Sequence, residues 1–167
     1  MLAEDAFGYT GLKYFEFVES ITKIDQRAFE EVGRYGGGGL INRQLDVMPN
    51  LTTIATNAFN HAFAPVDSTN SLSVIYLPGS VTTIGQNAFR YNGLLQEDAN
   101  HGITGFVIGS SGHPSQLGTK GGSLGINAFT SAGAQDYAIT VYTDDETKSI
   151  WTELAAQVGG AINLVSA

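Results

Sequence analysis

The sequence of 167 residues contains no cysteine, four prolines and few charged side chains. The lack of cysteine excludes a disulfide framework, a thiolate metal site and a cysteine nucleophile. Sixteen acidic and eight basic residues give a formal net charge of −8, and no cluster of Lys and Arg is present that could bind nucleic acid or an anionic membrane. No apolar run approaches the roughly eighteen residues of a membrane span, so we expect no direct membrane insertion.

What the sequence does contain is a repeat. An apolar-x-x-x-Ala-Phe element recurs at residues 2–7, 24–29, 54–59, 84–89 and 124–129. Apolar residues that alternate as in a strand precede this element at residues 12–17, 72–77 and 103–108. In the third repeat Leu45 and Val47 take the matching positions, but Asn42 replaces the first apolar residue, so we expect that strand to begin late. Each repeat is therefore predicted to be a strand, a turn and a short helix.

Stacking of the repeats explains why the apolar spacing within one repeat is irregular. A single repeat cannot bury its own apolar side chains, but repeats stacked at roughly 4.8 Å place equivalent positions above one another and share a core. The phenylalanines of the five Ala-Phe elements are then predicted to form a ladder of stacked rings with centroids roughly 4.5 to 7 Å apart. Small polar residues at the turn form a second predicted column: Ser20, Asn50, Ser80 and Ser111.

Two segments carry a family resemblance. The stretches LKYFEFVESITKIDQRAF and LSVIYLPGSVTTIGQNAF resemble the repeat of the BspA-like leucine-rich-repeat family. The resemblance implies a single α/β domain over residues 1–167, a right-handed leucine-rich-repeat solenoid of about five coils. The repeats would span residues 1–135 and a C-terminal strand-helix cap residues 136–167. In that cap Ile139 and Val141 would be the last strand pair, and the apolar helix face would comprise Ile150, Trp151, Leu154 and Val158.

The resemblance also implies a location and a role. Members are bacterial cell-surface or secreted proteins that adhere to molecules of host or neighbouring cells and do not catalyse reactions. This sequence departs from the family pattern because it lacks the Cys that often follows the Phe. Its Phe-to-Phe spacings are 22, 30, 30 and 40 residues, whereas repeats of this class have about 20 to 29.

The long spacings indicate insertions. Three of them, within residues 30–41, 60–71 and 90–102, leave the repeats at the same position, so we expect them to project from one edge and to mark a binding side. The alternative is neutral decoration, because loop length costs little entropy. A fourth insertion, residues 109–123, is predicted to be a mobile flap.

The open strand face supplies the first candidate ligand-binding residues. Residues between the inward positions of successive strands would form one exposed column: Glu16, Asp46, Tyr76, Val107 and Thr140. Tyr14 would lie in a second column with Gln44 and Val74, and Arg43 would be a polar anchor beside the tyrosines. The alternative role for these side chains is cross-strand pairing without a ligand.

His61 and Tyr91, next to the insertions, complete the candidate residues. The histidines, His61, His101 and His113, share no metal-ligand spacing, so exposed loop positions and no metal site are expected. Catalytic and cofactor motifs such as G-x-S-x-G, H-E-x-x-H and G-x-G-x-x-G are absent. We therefore expect no catalysis and no cofactor.

These observations favour a surface-exposed binding or adhesion module that recognises a protein or glycan. The alternative is a structural spacer that displays other domains of a larger surface protein. The sequence begins inside a repeat without the preceding strand, and solenoids need a polar cap at each end. We therefore expect either a longer parent protein or self-association of the open N-terminal end with another copy.

Overall fold

The computed structural model describes residues 1–32, 39–63, 74–92, 103–129, 133–158 and 161–167. Its strands are β1 (Lys23–Ile24), β2 (Thr53–Ile54), β3 (Val74–Leu77), β4 (Thr83–Ile84), β5 (Ile103–Ile108), β6 (Gly133–Thr143) and β7 (Ala161–Ser166). The described residues also form one α-helix, α1 (Asp145–Leu154), and two 3-10 helices, Leu45–Val47 and Ala155–Gln157. The chain is thus an α/β protein with many strands and few helices.

The strands form two parallel sheets, and their register confirms that equivalent positions of the repeats lie side by side. The first sheet has the order β1-β2-β4, and pairs Ile24 with Ile54 and Ile54 with Ile84. Isolated parallel bridges extend this row to Leu2 at one end and to Leu124 at the other. The second sheet has the order β3-β5-β6-β7.

The predicted phenylalanine ladder is confirmed. Stacked rings join Phe7 to Phe29 at 5.2 Å, Phe29 to Phe59 at 5.2 Å, Phe59 to Phe89 at 5.3 Å and Phe89 to Phe129 at 5.8 Å between centroids. The three central rings are fully buried, whereas Phe7 is only partly buried. The ladder therefore runs through the core and ends in a less protected ring.

The predicted short helices are wrong, because the Ala-Phe elements are turns. In each repeat the residue two before the Phe has a positive φ of 55–60°. This conformation directs N–H groups to the next repeat instead of back along a helix: Phe29 N–H donates to Ala58 O at 2.9 Å and Phe59 N–H to Ala88 O at 2.8 Å. The left-handed residues are Asp5, Arg27, Asn57, Asn87 and Asn127.

The strand predictions for the second and third repeats also need correction. Residues 11–18 form no ladder, and within the predicted strand of the third repeat only Gln44 bridges to a strand, at Tyr76. Gln44 opposite Tyr76 shifts the expected register by two residues, so Arg43 takes the place of Ile75 and Leu45 that of Leu77. Val47, predicted to be inward, is 46% exposed on the 3-10 helix.

The segment 109–123 is not the predicted mobile flap, because backbone hydrogen bonds fix it to the neighbouring repeat. Gln116 N–H donates to Gly79 O at 2.8 Å, Gly118 N–H donates to Thr82 O at 3.0 Å, and Leu117 is fully buried. Gln116, not Ser111, therefore follows Ser80 in the turn column. The column itself is supported by side-chain bonds from Asn50 Nδ2 to Glu19 O and from Ser80 Oγ to Leu51 O.

The C-terminal region contains the predicted helix and one strand more than predicted. Trp151 of α1 is fully buried, and its Nε1–H donates to Ser115 Oγ at 3.1 Å. Ile139 and Val141 are fully buried as expected, but they do not form the last strand. β7 follows the helix and pairs with β6 in parallel, with Ile162 opposite Ile139 and Leu164 opposite Val141.

A buried asparagine that the repeat pattern does not reveal ties the third repeat to the fourth. Asn92 is fully buried. Its Oδ1 accepts hydrogen bonds from the N–H groups of Ala62 and Phe63 at 2.8 and 3.0 Å. Its Nδ2 donates to the carbonyls of Phe59 and Phe89 at 2.7 and 2.9 Å. The second and third inserted segments begin beside this point, and most of their residues, His101 among them, lie outside the described ranges.

Candidate binding site

A cleft of about 460 Å³ opens at the carboxyl end of β3. Ligand pockets generally have volumes of roughly 300 to 1,000 Å³, so the cleft has room for a small ligand or for one side chain of a partner. Its floor is the turn that follows β3. The lining residues are Asp46, Pro49, Leu77, Pro78, Gly79, Ser80, Gly109, Ser110, Gly112, His113, Pro114 and Gln116.

One wall of the cleft is the 3-10 helix Leu45–Val47 with the Pro49 that follows it. Leu51 and Val81 are equivalent buried residues of the third and fourth repeats. Leu45 is six positions before Leu51, whereas Leu77 is four positions before Val81. Two extra residues therefore lengthen the third repeat at this point. They carry Asp46, which is exposed, past the end of the neighbouring strand and over the turn below.

The opposite wall is a tight turn at the start of the fourth insertion. Ser110 N–H donates to His113 O at 3.0 Å, and His113 N–H donates to Ser110 O at 2.9 Å. Glycine at position 79 lets this turn pack on the floor, because a Cβ there would lie 2.5 Å from the carbonyl oxygen of His113. Both walls are thus additions to the repeat, and the inserted turn is fixed by its backbone hydrogen bonds and by its packing on Gly79.

The chemistry of the cleft is mixed. Pro49 and Pro114 give apolar surface, while Ser80, Ser110 and Gln116 offer hydroxyl and amide groups. Asp46 is the one lining residue with a full formal charge when His113 is neutral. The cleft can therefore hydrogen-bond a neutral polar group or pair with a cation, and it disfavours an anion. His113 is exposed, as expected, and lines this site.

Beside the cleft, the outward residues of the second sheet form the predicted strand face, with one correction. The row that contains Tyr76 runs through Gln44, Tyr76, Val107, Thr140 and Asn163. Gln44 replaces Asp46 in this row because of the two-residue shift, and β7 adds Asn163. Tyr76 is half-buried. No member of this row is charged.

The prediction of an exposed Arg43 is wrong. Its side chain is fully buried at an inward strand position. The guanidinium carbon lies 6.0 Å from the centroid of the Phe63 ring, and Nη1 donates to Ile41 O at 3.4 Å. Burial lowers the pKa of Arg43 to about 10. Arg43 is thus a core residue and does not contribute to the strand face.

His61 and Tyr91 are brought together, but on the turn edge of the repeats and in contact with each other. Their rings stack at 4.8 Å. The Arg90 guanidinium carbon lies 4.2 Å from the Tyr91 centroid, and His61 Nδ1 is 3.4 Å from Glu31 Oε1. Because His61 and Arg90 both pack on Tyr91, the ring has an internal structural role that needs no ligand.

The remaining candidates lie in the second repeat. Tyr14 is 75% exposed and Glu16 is also exposed, but they belong to residues 11–18, which form no ladder. Neither lines the cleft. Of the seven candidate residues, Asp46 lies in the cleft wall and Tyr76 lies on the strand that leads to its floor. The insertion 109–123 is recognisable in the sequence, but its role as a cleft wall is not. The sequence signal that the repeat comparison misses is the pair of extra residues near positions 46–47.

Within the described ranges, no three His, Asp or Glu side chains come close enough together to hold a metal ion. In the same part of the chain, no helix has the length and apolar character to cross a membrane.

Comparison with known proteins identifies the family. The sequence matches the model of the BspA type leucine rich repeat region, with six copies over residues 1–104. No curated protein and no solved structure matches the chain. The matched region covers more than half of the 167 residues and includes four of the five Ala-Phe elements and their stacked rings. The chain belongs to the BspA-type leucine-rich-repeat family.

Proposed function

We propose that this chain is a leucine-rich-repeat solenoid that acts as a non-catalytic binding or adhesion module on a bacterial cell surface. In this proposal the repeats and the C-terminal cap form a single domain, and the ligand is a protein or glycan of a host or neighbouring cell. The cleft at the end of β3 and the strand face around Tyr76 form the recognition surface. Family membership supports a repeat module that binds other molecules.

The cleft is the observation that carries the proposal. Its walls are two additions to the repeat, and they converge on one turn from both sides. The inserted turn is fixed by hydrogen bonds and by close packing on Gly79, so the cleft is preorganised and loses little entropy on binding. If the insertion were neutral decoration, its turn would not need to be fixed by hydrogen bonds and close packing.

The strand face supports a broad contact around the cleft. Its central row is uncharged and includes one large aromatic residue, Tyr76. Uncharged surfaces with tyrosine are typical of protein interfaces, where charged residues are depleted from the centre and aromatic residues are enriched. The net charge of −8 then disfavours polyanionic ligands and leaves neutral or cationic partners.

The proposal is tested by substituting residues of the cleft. Ser110→Trp fills the cleft from an exposed wall position that uses only its backbone in the turn, and Asp46→Ala removes its carboxylate. On arrays of surface glycans and cell-surface proteins, we expect at least one ligand whose binding is lost with the first variant and weakened with the second. Thr152→Trp, at an exposed position of α1 outside the cleft, is the matched control and should bind normally.

A structural spacer is the second candidate function. The unbroken ring ladder and the stack of His61 on Tyr91 favour it, because both stiffen the row of repeats without any ligand. If the chain is a spacer, the variants Ser110→Trp and Tyr76→Ala should attach to cells as well as the wild type does. If no array ligand binds the wild-type chain, or if every ligand binds the cleft variants as strongly as the wild type, the spacer role replaces the binding role.

A further inference from the structure

The outer edge of the second sheet is formed by β7. In the described part of the chain this strand pairs only with β6. Ala167 N–H donates to Thr143 O at 2.9 Å, and in a parallel pair alternate residues face the neighbouring strand. Asn163 and Val165 therefore face β6 with their backbone groups, while Ile162 and Leu164 direct theirs away from the sheet.

The side chains of β7 leave this edge unprotected. Sheet edges are usually blunted by charged residues, proline or a bulge, but residues 161–167 contain no charged residue and no proline. The register of β7 on β6 is regular from Ala161 to Ser166. Ile162 and Leu164 continue the inward rows of Ile139 and Val141, which are fully buried, yet both remain partly exposed. A further strand outside β7 would complete their burial.

We propose that two copies of this chain pair through β7 in an antiparallel arrangement, which joins the two sheets into one. A second copy fits this edge because the strand is self-complementary. Pairing of identical edges around a two-fold axis is antiparallel and places the same residues on both sides. Because the strand carries no charged side chain, no like charges lie opposite each other when two identical strands pair.

The backbone groups and the side chains together select the register. The outward groups of Ile162, Leu164 and Ser166 also allow a pair centred on Leu164, but that pair would place Ile162 opposite Ser166, whereas a pair centred on Asn163 places apolar residues opposite each other. The backbone N–H and C=O groups of Ile162 and Leu164 point away from β6. Ile162 of each copy therefore forms a hydrogen-bonded pair with Leu164 of the other copy. Asn163 then lies opposite Asn163 of that copy at the two-fold axis, in a pair without backbone hydrogen bonds. In this register Ile162 and Leu164 of both copies point to the inner faces, which keeps the apolar rows continuous.

Pairing through β7 would give the assembly two recognition surfaces. The rows that contain Tyr76 would become continuous across the axis through Asn163, and each copy would keep its own cleft. A bivalent binder gains apparent affinity for repeated ligands on a surface without any new contact. The pairing itself does not depend on the proposed adhesive function.

A single cysteine tests the register directly, because the chain has no other cysteine. Opposed residues in an antiparallel pair without hydrogen bonds have Cα atoms about 4.5 Å apart, which is within the range of about 4.4 to 6.8 Å for disulfides. We expect Asn163→Cys to form a disulfide-linked dimer under mild oxidation. Thr140→Cys, in the same row but on the inner strand β6, is the matched control and should remain largely uncrosslinked.

Sedimentation and light scattering provide the second readout. The wild-type chain should show a concentration-dependent mass that approaches twice the 17.7 kDa of one chain. Asn163→Lys places two positive charges at the axis, and this variant should remain a monomer with an unchanged melting temperature. A wild-type monomer at millimolar concentration, a dimer that persists in Asn163→Lys, or equal crosslinking of both cysteine variants would overturn the proposal.

Discussion

At the scale of single residues, polar side chains in the core determine details that a repeat pattern does not reveal. Phe29, Phe59 and Phe89 are predictable because they recur in the same element. Asn92 and Arg43 are not, since each occurs once in this environment and a polar residue in sequence suggests exposure. The repeat pattern predicts a surface position for Arg43 because the two extra residues of the third repeat shift the predicted register.

The role of Asn92 gives the first stability prediction. Asn92→Ala removes four buried hydrogen bonds. Ala62 N–H still donates to Phe59 O at 3.2 Å, but Phe63 N–H and Phe89 O lose the partner that Asn92 provides, and each unsatisfied group costs roughly 1 to 3 kcal/mol. We expect the free energy of unfolding to fall by about 3 kcal/mol or more, measured by urea denaturation.

The matched control for that variant is Asn60→Ala. Asn60 is only partly buried and donates one hydrogen bond, to Glu30 Oε1 at 3.2 Å. Its loss should cost about 1 kcal/mol or less. Similar effects of the two substitutions would show that the four bonds of Asn92 do not tie the repeats together.

At the scale of elements, the sequence predicts periodic structures well and turn conformations poorly. α1 is predictable because its apolar residues follow helical spacing, and the parallel rows follow from the repeat. The burial pattern cannot distinguish the left-handed turns from the expected short helices, because both conformations bury the same Ala and Phe. One feature of the sequence does favour the turn. Asparagine occupies positions 57, 87 and 127, and this residue type is enriched in left-handed conformations. The repeat pattern does not predict β7, although Ile162 and Leu164 alternate as in a strand.

The N-terminus of α1 gives a pH prediction. Thr147 N–H donates to Asp144 Oδ1 at 2.9 Å, and this bond, with a second from the Thr147 hydroxyl, holds the pKa of Asp144 below its ordinary value of 3.8. The ionised cap therefore stabilises the folded chain fully above pH 3.8, and its contribution is lost as the pH falls through the lower pKa of the folded state. Melting curves of Asp144→Ala should lie below those of the wild type near pH 6.

That difference in melting temperature should narrow as the pH is lowered below 3.8. Glu153→Ala, at an exposed position of the same helix, is the control for a general effect of removing an acid and should not reproduce this pattern. A gap that stays constant from pH 6 to pH 2 would mean that the carboxylate form of Asp144 does not cap the helix.

At the scale of the whole molecule, the central claim is that equivalent positions of successive repeats share one water-excluding core. This claim was predictable because five Ala-Phe elements repeat, and the four ring pairs at 5.2 to 5.8 Å bear it out. The cleft was not predictable from the repeat itself, because its walls are departures from the repeat. The same is true of the edge at β7, which follows the last predicted element.

The most direct test of this claim compares Phe89→Ala with Phe7→Ala by equilibrium unfolding. Phe89 is fully buried and stacks on rings of both neighbouring repeats, so its removal should lower the free energy of unfolding by roughly 3 to 5 kcal/mol. Phe7 is only partly buried at the end of the ladder, and the same change there should cost clearly less. Small and equal losses at both positions would contradict a shared core.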